Sequence, residues 1–167
     1  MKNIVLIGMP GSGKTTVSTM LSKELNWPLI DIDQYLVKKY QQSIEDMFNI
    51  SEEYFRERET ICCKEVSTLQ GHILSTGGGV IKNQINIEML KENGIIFLLD
   101  RRIENIIQDI ETSTRPLLKE GKEKLYTLYH ERHALYLKSA DVIVDNNHDI
   151  KDTIKQIIDH YHRIPAM

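Results

Sequence analysis

At 167 residues the chain can bury one substantial core but is too short for two ordinary domains of ~100 to 200 residues each, so a single domain, residues 1–167, must hold every substrate. Hydrophobic residues make up 41% of it and charged residues 27%, the formal net charge is -3, and no apolar run approaches the ~20 residues of a membrane span. Nucleic-acid and membrane partners are therefore not expected, no segment reads as a targeting leader, and the cytoplasm is the default location.

A short β-branched apolar run over residues 4–7 predicts a buried first strand, and behind it Val17, Met20, Leu21 and Leu25 keep helical spacing. Between them stands Gly8-Met9-Pro10-Gly11-Ser12-Gly13-Lys14-Thr15, which has the fixed positions of a phosphate-binding loop in the strand-to-helix context such a loop needs. Glycines such as Gly11 and Gly13 let successive N–H groups converge on phosphate oxygens at the positive end of the helix. Lys14 can then reach the β- and γ-phosphates of a nucleotide, and the Thr15 hydroxyl can hold Mg²⁺.

Residues 29–31 predict the second strand, which ends in Asp31-Ile32-Asp33. Two carboxylates stand here at the carboxyl edge, where parallel sheets bind ligands, and strand alternation points Asp31 and Asp33 the same way. One could hold Mg²⁺ through its water shell while the other accepts a proton from an attacking hydroxyl. The bland alternative makes Asp33 a helix cap and Asp31 a solvated strand end.

Two or three helices follow before the third strand. Ser43-Ile44-Glu45-Asp46 resembles a capped helix start, and Ser51-Glu52-Glu53 opens a longer helix. Along it Phe55, Cys62, Val66 and Leu69 form an apolar stripe that turns Arg56 and Glu59 to another face. Cys62 reads as core filler, and adjacent Cys62 and Cys63 cannot form an ordinary disulfide.

Strand three, residues 73–75, runs into Thr76-Gly77-Gly78-Gly79, and three consecutive glycines imply that backbone approaches a substrate or phosphate closely. A fourth strand over 95–99 and a helix over 103–110 lead to Glu111-Thr112-Ser113-Thr114-Arg115-Pro116, a polar break that reads as a mobile lid over about 109–121. Helical periodicity resumes near residue 122 and includes Arg132, while His130 and His133 share a face with no third metal ligand evident. Residues 142–144 predict the fifth strand, and five strands alternating with helices give a parallel α/β sheet. Arg56, Arg115 and Arg132 are the guanidinium forks suited to a carboxylate or phosphate.

Taken in order, Gly8 to Thr16, Asp31-Ile32-Asp33, Ser43-Ile44-Glu45-Asp46-Met47-Phe48, Phe55-Arg56-Glu57-Arg58-Glu59, Ser75-Thr76-Gly77-Gly78-Gly79 and Arg115-Pro116-Leu117-Leu118 resemble the shikimate kinase family of adenylate-kinase-like phosphate-loop kinases, over nearly the whole chain. The resemblance implies a three-layer α/β/α fold with strand order 2-3-1-4-5, a helical substrate-binding insertion over about 33–60, a closing lid and a monomeric enzyme. It implies ATP-dependent phosphorylation of the 3-hydroxyl of shikimate. By position, Gly11, Ser12, Gly13, Lys14, Thr15 and Thr16 would hold ATP, with Arg115 reaching its phosphates on closure, while Thr15 and Asp31 would serve Mg²⁺. Asp33 would orient or deprotonate the nucleophile, Arg56 with Arg132 would pair with the shikimate carboxylate, Glu59 would brace Arg56, and Gly77, Gly78 and Gly79 would face the ring.

Two positions depart from the family: Gln108 stands where a second arginine commonly stacks on adenine, and the interval from Arg115 to His133 is shorter. The 145–149 segment is expected near the adenine. The nearest rival is a gluconate-type kinase with the same loop. A guanine-nucleotide switch is disfavoured because Asn146-Asn147-His148-Asp149 lacks the lysine of the guanine signature.

Overall fold

The computed structural model describes residues 1–112 and 119–165. Five strands, β1 (Asn3–Ile7), β2 (Leu29–Asp31), β3 (Ile73–Ser75), β4 (Gly94–Asp100) and β5 (Val142–Asp145), pair in parallel in the order β2-β3-β1-β4-β5. The five expected strands and their order are therefore present.

Parallel neighbours require crossovers, and eight helices supply them among the described residues. These are α1 (Lys14–Leu25), α2 (Ile32–Tyr40), α3 (Ile44–Ile50), α4 (Glu52–Val66), α5 (Gln84–Glu92), α6 (Ile103–Thr112), α7 (Lys119–Ser139) and α8 (Ile150–Arg163).

Strand alternation divides the core into two layers. Val5, Ile7, Ile96 and Leu98 point to one face, where they join Leu36, Met47, Phe55, Ile87, Ile106 and Tyr136 from α2 to α7. Ile4, Leu6, Phe97 and Leu99 point to the other, where Val17 and Leu21 of α1 meet Ile154 and Ile157 of α8. Every residue of β1 is buried, which is why residues 4–7 form a continuous apolar run instead of an alternating one. Each such aliphatic side chain contributes about 1.5–3 kcal/mol on burial, so the central strand is a rigid base for the loop that follows it.

Two expectations are corrected. Asp31 and Asp33 do not share a strand face, because the backbone becomes helical at Ile32; Asp31 is the residue that caps α2, accepting a hydrogen bond from the Gln34 N–H at 3.1 Å. Along α4 the buried stripe is Phe55, Glu59, Cys62 and Val66, so Glu59 lies on the core face, and Leu69 falls beyond the helix end. Cys63 is buried as well as Cys62, since α4 packs on α2 and α3 and also on α5. Burial pushes the Cys62 thiol up to about 11 and that of Cys63 further still, so neither is a ready nucleophile.

Ser43 and Ser51 cap α3 and α4 as expected, accepting from the N–H groups of Asp46 and Tyr54. No described helix is long and apolar enough to cross a membrane.

Candidate active site

The loop between β1 and α1 can form only because two of its residues take left-handed backbone conformations, Gly11 at φ 82° and Gly13 at φ 97°. Gly13 is the N-cap of α1 and supplies no side-chain cap, and the first helical turn contains no acidic residue. The positive end of α1 thus keeps its N–H groups available for an anion. Lys14 curls back so that its Nζ donates to the carbonyls of Gly8 at 2.6 Å and Met9 at 3.0 Å. Burial lowers its pKa to about 8, against the opposing pull of Asp33 and Asp31 and with a further lowering from Arg132.

A cleft of about 620 Å³ opens from this loop across the carboxyl edges of β2 and β3. It brings together Gly11, Gly13, Lys14, Thr15, Thr16, Asp31, Asp33, Gly77 and Gly78. Ser12, the remaining loop residue expected to hold phosphate, is buried and does not line the cleft.

Asp33 occupies the first turn of α2, where Oδ1 is buried and makes no hydrogen bond. Burial first and Asp31 second raise its pKa above the usual carboxylate range, while Lys14 and Arg56 pull it down. An unpartnered buried oxygen on a group of raised pKa is suited to receive a hydroxyl proton.

The glycine run lies against Asp33 and Arg56. None of Gly77, Gly78 and Gly79 is among the residues of positive φ, so the turn itself does not demand glycine. Space does: a Cβ on Gly77 would lie 2.9 Å from Asp33 Oδ1, one on Gly78 2.9 Å from the Pro10 ring, and one on Gly79 2.3 Å from Arg56 Nη2. The close approach expected here is made, within the protein, to two site side chains and the phosphate loop. The run is anchored by Thr76, whose hydroxyl donates to the Leu6 carbonyl at 2.8 Å, and by Tyr136, whose hydroxyl donates to the Gly78 carbonyl.

Arg56 is held on several sides. Its Nη1 donates to Glu59 Oε1 at 2.9 Å, its Nε lies 3.5 Å from Glu52 Oε1, and the guanidinium stands over the rings of Phe55 and Phe48 at 5.0 and 5.7 Å. Glu59, 1% exposed, has its pKa raised by burial and lowered in turn by Arg56. Arg132 on α7 reaches the same region, acting electrostatically on Lys14, Glu59 and Tyr136. Arg115 and the centre of the expected lid, residues 113–118, lie outside the described residues.

Arg101 is absent from the sequence reading, and Asn146 enters it only as one residue of the 145–149 segment. Arg101, just after β4, lines the cleft and donates through Nη1 to the Gly11 carbonyl at 3.3 Å. Asn146, after β5, donates to the Ser12 carbonyl at 2.6 Å and accepts from the Thr153 hydroxyl at 2.6 Å, which puts the 145–149 segment against the phosphate loop. A strand-terminal arginine beside a second arginine reads locally as solvated charge. His133 stacks on Tyr129, and no group of three or more metal-ligating residues occurs among the described ones.

A model of the shikimate kinase family matches residues 10–162. A shikimate kinase of Clostridium botulinum is 46% identical over 158 residues, which are 94% of this chain and 96% of the relative. Among solved structures, shikimate kinase from Acinetobacter baumannii in complex with shikimate superposes with a TM-score of 0.86 at 30% identity, covering 99% of this chain and 96% of that one. The Aquifex aeolicus shikimate kinase does so with a TM-score of 0.83 at 33% identity, covering 96% of each.

Proposed function

The chain belongs to the shikimate kinase family, and on that premise we propose how its residues divide the work of phosphorylating shikimate. The reaction is transfer of the terminal phosphoryl group of ATP to the 3-hydroxyl of shikimate, giving shikimate 3-phosphate and ADP on the route to chorismate and the aromatic amino acids. The observation that carries the division of roles is the single cleft in which the phosphate loop faces the unpartnered Asp33 oxygen, with the braced Arg56 guanidinium beside the same glycine run.

Gly11, Ser12, Gly13, Thr15 and Thr16 receive the ATP phosphates on their N–H groups, and Lys14 shifts from its carbonyl partners to the β- and γ-phosphates. Arg56 and Arg132 take the shikimate carboxylate, and the backbone of Gly77, Gly78 and Gly79 faces the ring. Asp33 then orients the 3-hydroxyl and accepts its proton as the oxygen bonds to the γ-phosphorus and the bond to the ADP oxygen breaks. The raised pKa of Asp33 favours that acceptance. Arg115 is assigned to the ATP phosphates on its sequence position alone.

Thr15 and Asp31 fit a Mg²⁺ ion: a hydroxyl and a carboxylate line one wall of the cleft, and a hard cation of this kind takes its other ligands from nucleotide phosphate and water. Bound there, Mg²⁺ would neutralise charge developing on the transferred phosphoryl group. The reading is completed by a monomeric, cytoplasmic enzyme whose insertion over 33–60 binds shikimate.

A coupled assay comparing shikimate, gluconate and nucleoside monophosphates as acceptors tests the activity. Turnover of shikimate alone is expected; turnover of gluconate without shikimate would reverse it. Asp33→Asn should keep ATP binding nearly intact while turnover falls by roughly 100-fold or more. Equal losses in both would remove Asp33 from proton transfer.

A further inference from the structure

We propose that Tyr136 is a positioning residue of the acceptor site, its hydroxyl fixing the glycine run in register with Arg56 and Arg132. The proposal rests on the acceptor reading above, in which those two arginines and residues 77–79 receive the acceptor, and adds the group that holds them together. Tyr136 lies on α7, only 1% exposed, and its hydroxyl donates to the Gly78 carbonyl, 58 positions earlier in the chain. A carbonyl can only accept, so the hydroxyl proton is committed to it. Burial raises the Tyr136 pKa above that of an ordinary tyrosine, against the opposing pull of Arg132 and Arg56, so the donor stays protonated at neutral pH.

The flanking carbonyls of the run are satisfied locally, that of Gly77 by the Val80 N–H at 3.2 Å and that of Gly79 by the Lys82 N–H at 3.0 Å. The Gly78 carbonyl takes its partner from another element, so the middle of the run is tied to α7. A peptide unit is planar, and holding that carbonyl also sets the plane through Gly79, which leaves no room for a methyl group beside the Arg56 guanidinium. Gly78 itself abuts the Pro10 ring of the phosphate loop. Arg132 precedes Tyr136 by one turn of the same helix, and the guanidiniums of both Arg132 and Arg56 act on the Tyr136 hydroxyl. Thr76 ties the start of the run to β1, which leaves the turn at Gly78 to Tyr136. One hydroxyl therefore registers an arginine of α4, an arginine of α7 and the backbone between them.

Tyr136→Phe keeps the buried ring and removes the hydroxyl. Calorimetric titration of this variant with shikimate and, separately, with ADP tests the assignment. Shikimate should bind roughly threefold to tenfold more weakly than to the parent, with ADP affinity changed less than about twofold. A hydroxyl that merely supported the fold would lower the melting temperature and leave the ratio of the two affinities where it was. Unchanged shikimate affinity, whatever the melting temperature, would therefore overturn the proposal. Equal weakening of both ligands would overturn it too, because the whole cleft would then have shifted. The parent's acceptor is scored first by turnover; if that acceptor is gluconate or a nucleoside monophosphate, the shikimate reading fails and the same comparison is made with the acceptor found.

Discussion

Replacing Gly79 by alanine would put a methyl group where the Arg56 guanidinium lies, 2.3 Å from Nη2 and 2.6 Å from Nη1. Backbone conformation is no obstacle, since Gly79 has φ -98°. The guanidinium must instead retreat by about 1 Å to reach an ordinary van der Waals separation. It is poorly placed to do so, being bonded to the buried Glu59 at 2.9 Å and seated over Phe55 and Phe48. A charge-assisted hydrogen bond contributes about 1.5–3 kcal/mol, and a misplacement of about 1 Å at a substrate-orienting group can lower rate ~100-fold. We therefore expect Gly79→Ala to lower kcat/KM for shikimate by roughly 10- to 100-fold while KM for ATP changes less than about twofold. Steady-state kinetics with each substrate varied at saturation of the other measures both. A shikimate kcat/KM within about threefold of the parent, or equal losses on both substrates, would refute the steric coupling of Gly79 to Arg56.

The pH profile should be bell-shaped. Asp33 must be ionised to accept a proton, so kcat/KM for shikimate falls on the acid side as Asp33, its pKa raised by burial and Asp31, becomes protonated above the usual carboxylate range. Lys14 must be charged to draw in phosphate, so kcat/KM for ATP falls on the alkaline side as its proton is lost near pH 8; a profile level through about pH 10 would contradict the Lys14 assignment, and an acid limb no higher than that of an ordinary carboxylate would contradict that of Asp33. Glu59→Ala strands the Arg56 guanidinium and should destabilise the fold by about 3 kcal/mol, read as a melting temperature lowered by about 6–12 °C. Glu59→Gln keeps an acceptor and should lose less than half as much, so equal losses in thermal melts would mean that a neutral acceptor does nothing for Arg56 and that the Glu59 charge alone holds it.

Legibility from sequence followed the range of the interactions. The phosphate loop was readable because strand, glycines, lysine and helix are contiguous, and the strand order accompanied the family resemblance. Asp31 and Asp33 were found but misoriented, since alternation assumes that the strand continues where the chain in fact turns helical at Ile32. The glycine run announced a close approach without naming its partners, because Asp33, Pro10 and Arg56 come from three other segments. Glu59 was recognised as a brace for Arg56, although its place on the buried stripe was hidden by its charge. Arg101 was invisible, and Asn146 could not be singled out within the 145–149 segment, because each acquires meaning only from a distant loop, Asn146 being 134 positions from Ser12 and Arg101 being 90 from Gly11.

Asn146 also bears on how the chain matures during synthesis. The loop emerges from the ribosome well ahead of its support: one of its carbonyls waits for an amide 134 positions later, and that amide is itself oriented by Thr153 in α8. Domains fold as units while the chain lengthens at ~5–20 residues per second, so the motif exists for seconds before its final support arrives. Nucleotide bound to the finished loop would stabilise the docked β5–α8 end of the molecule along with it, linking ligand occupancy to resistance of the carboxyl-terminal helix to proteolysis.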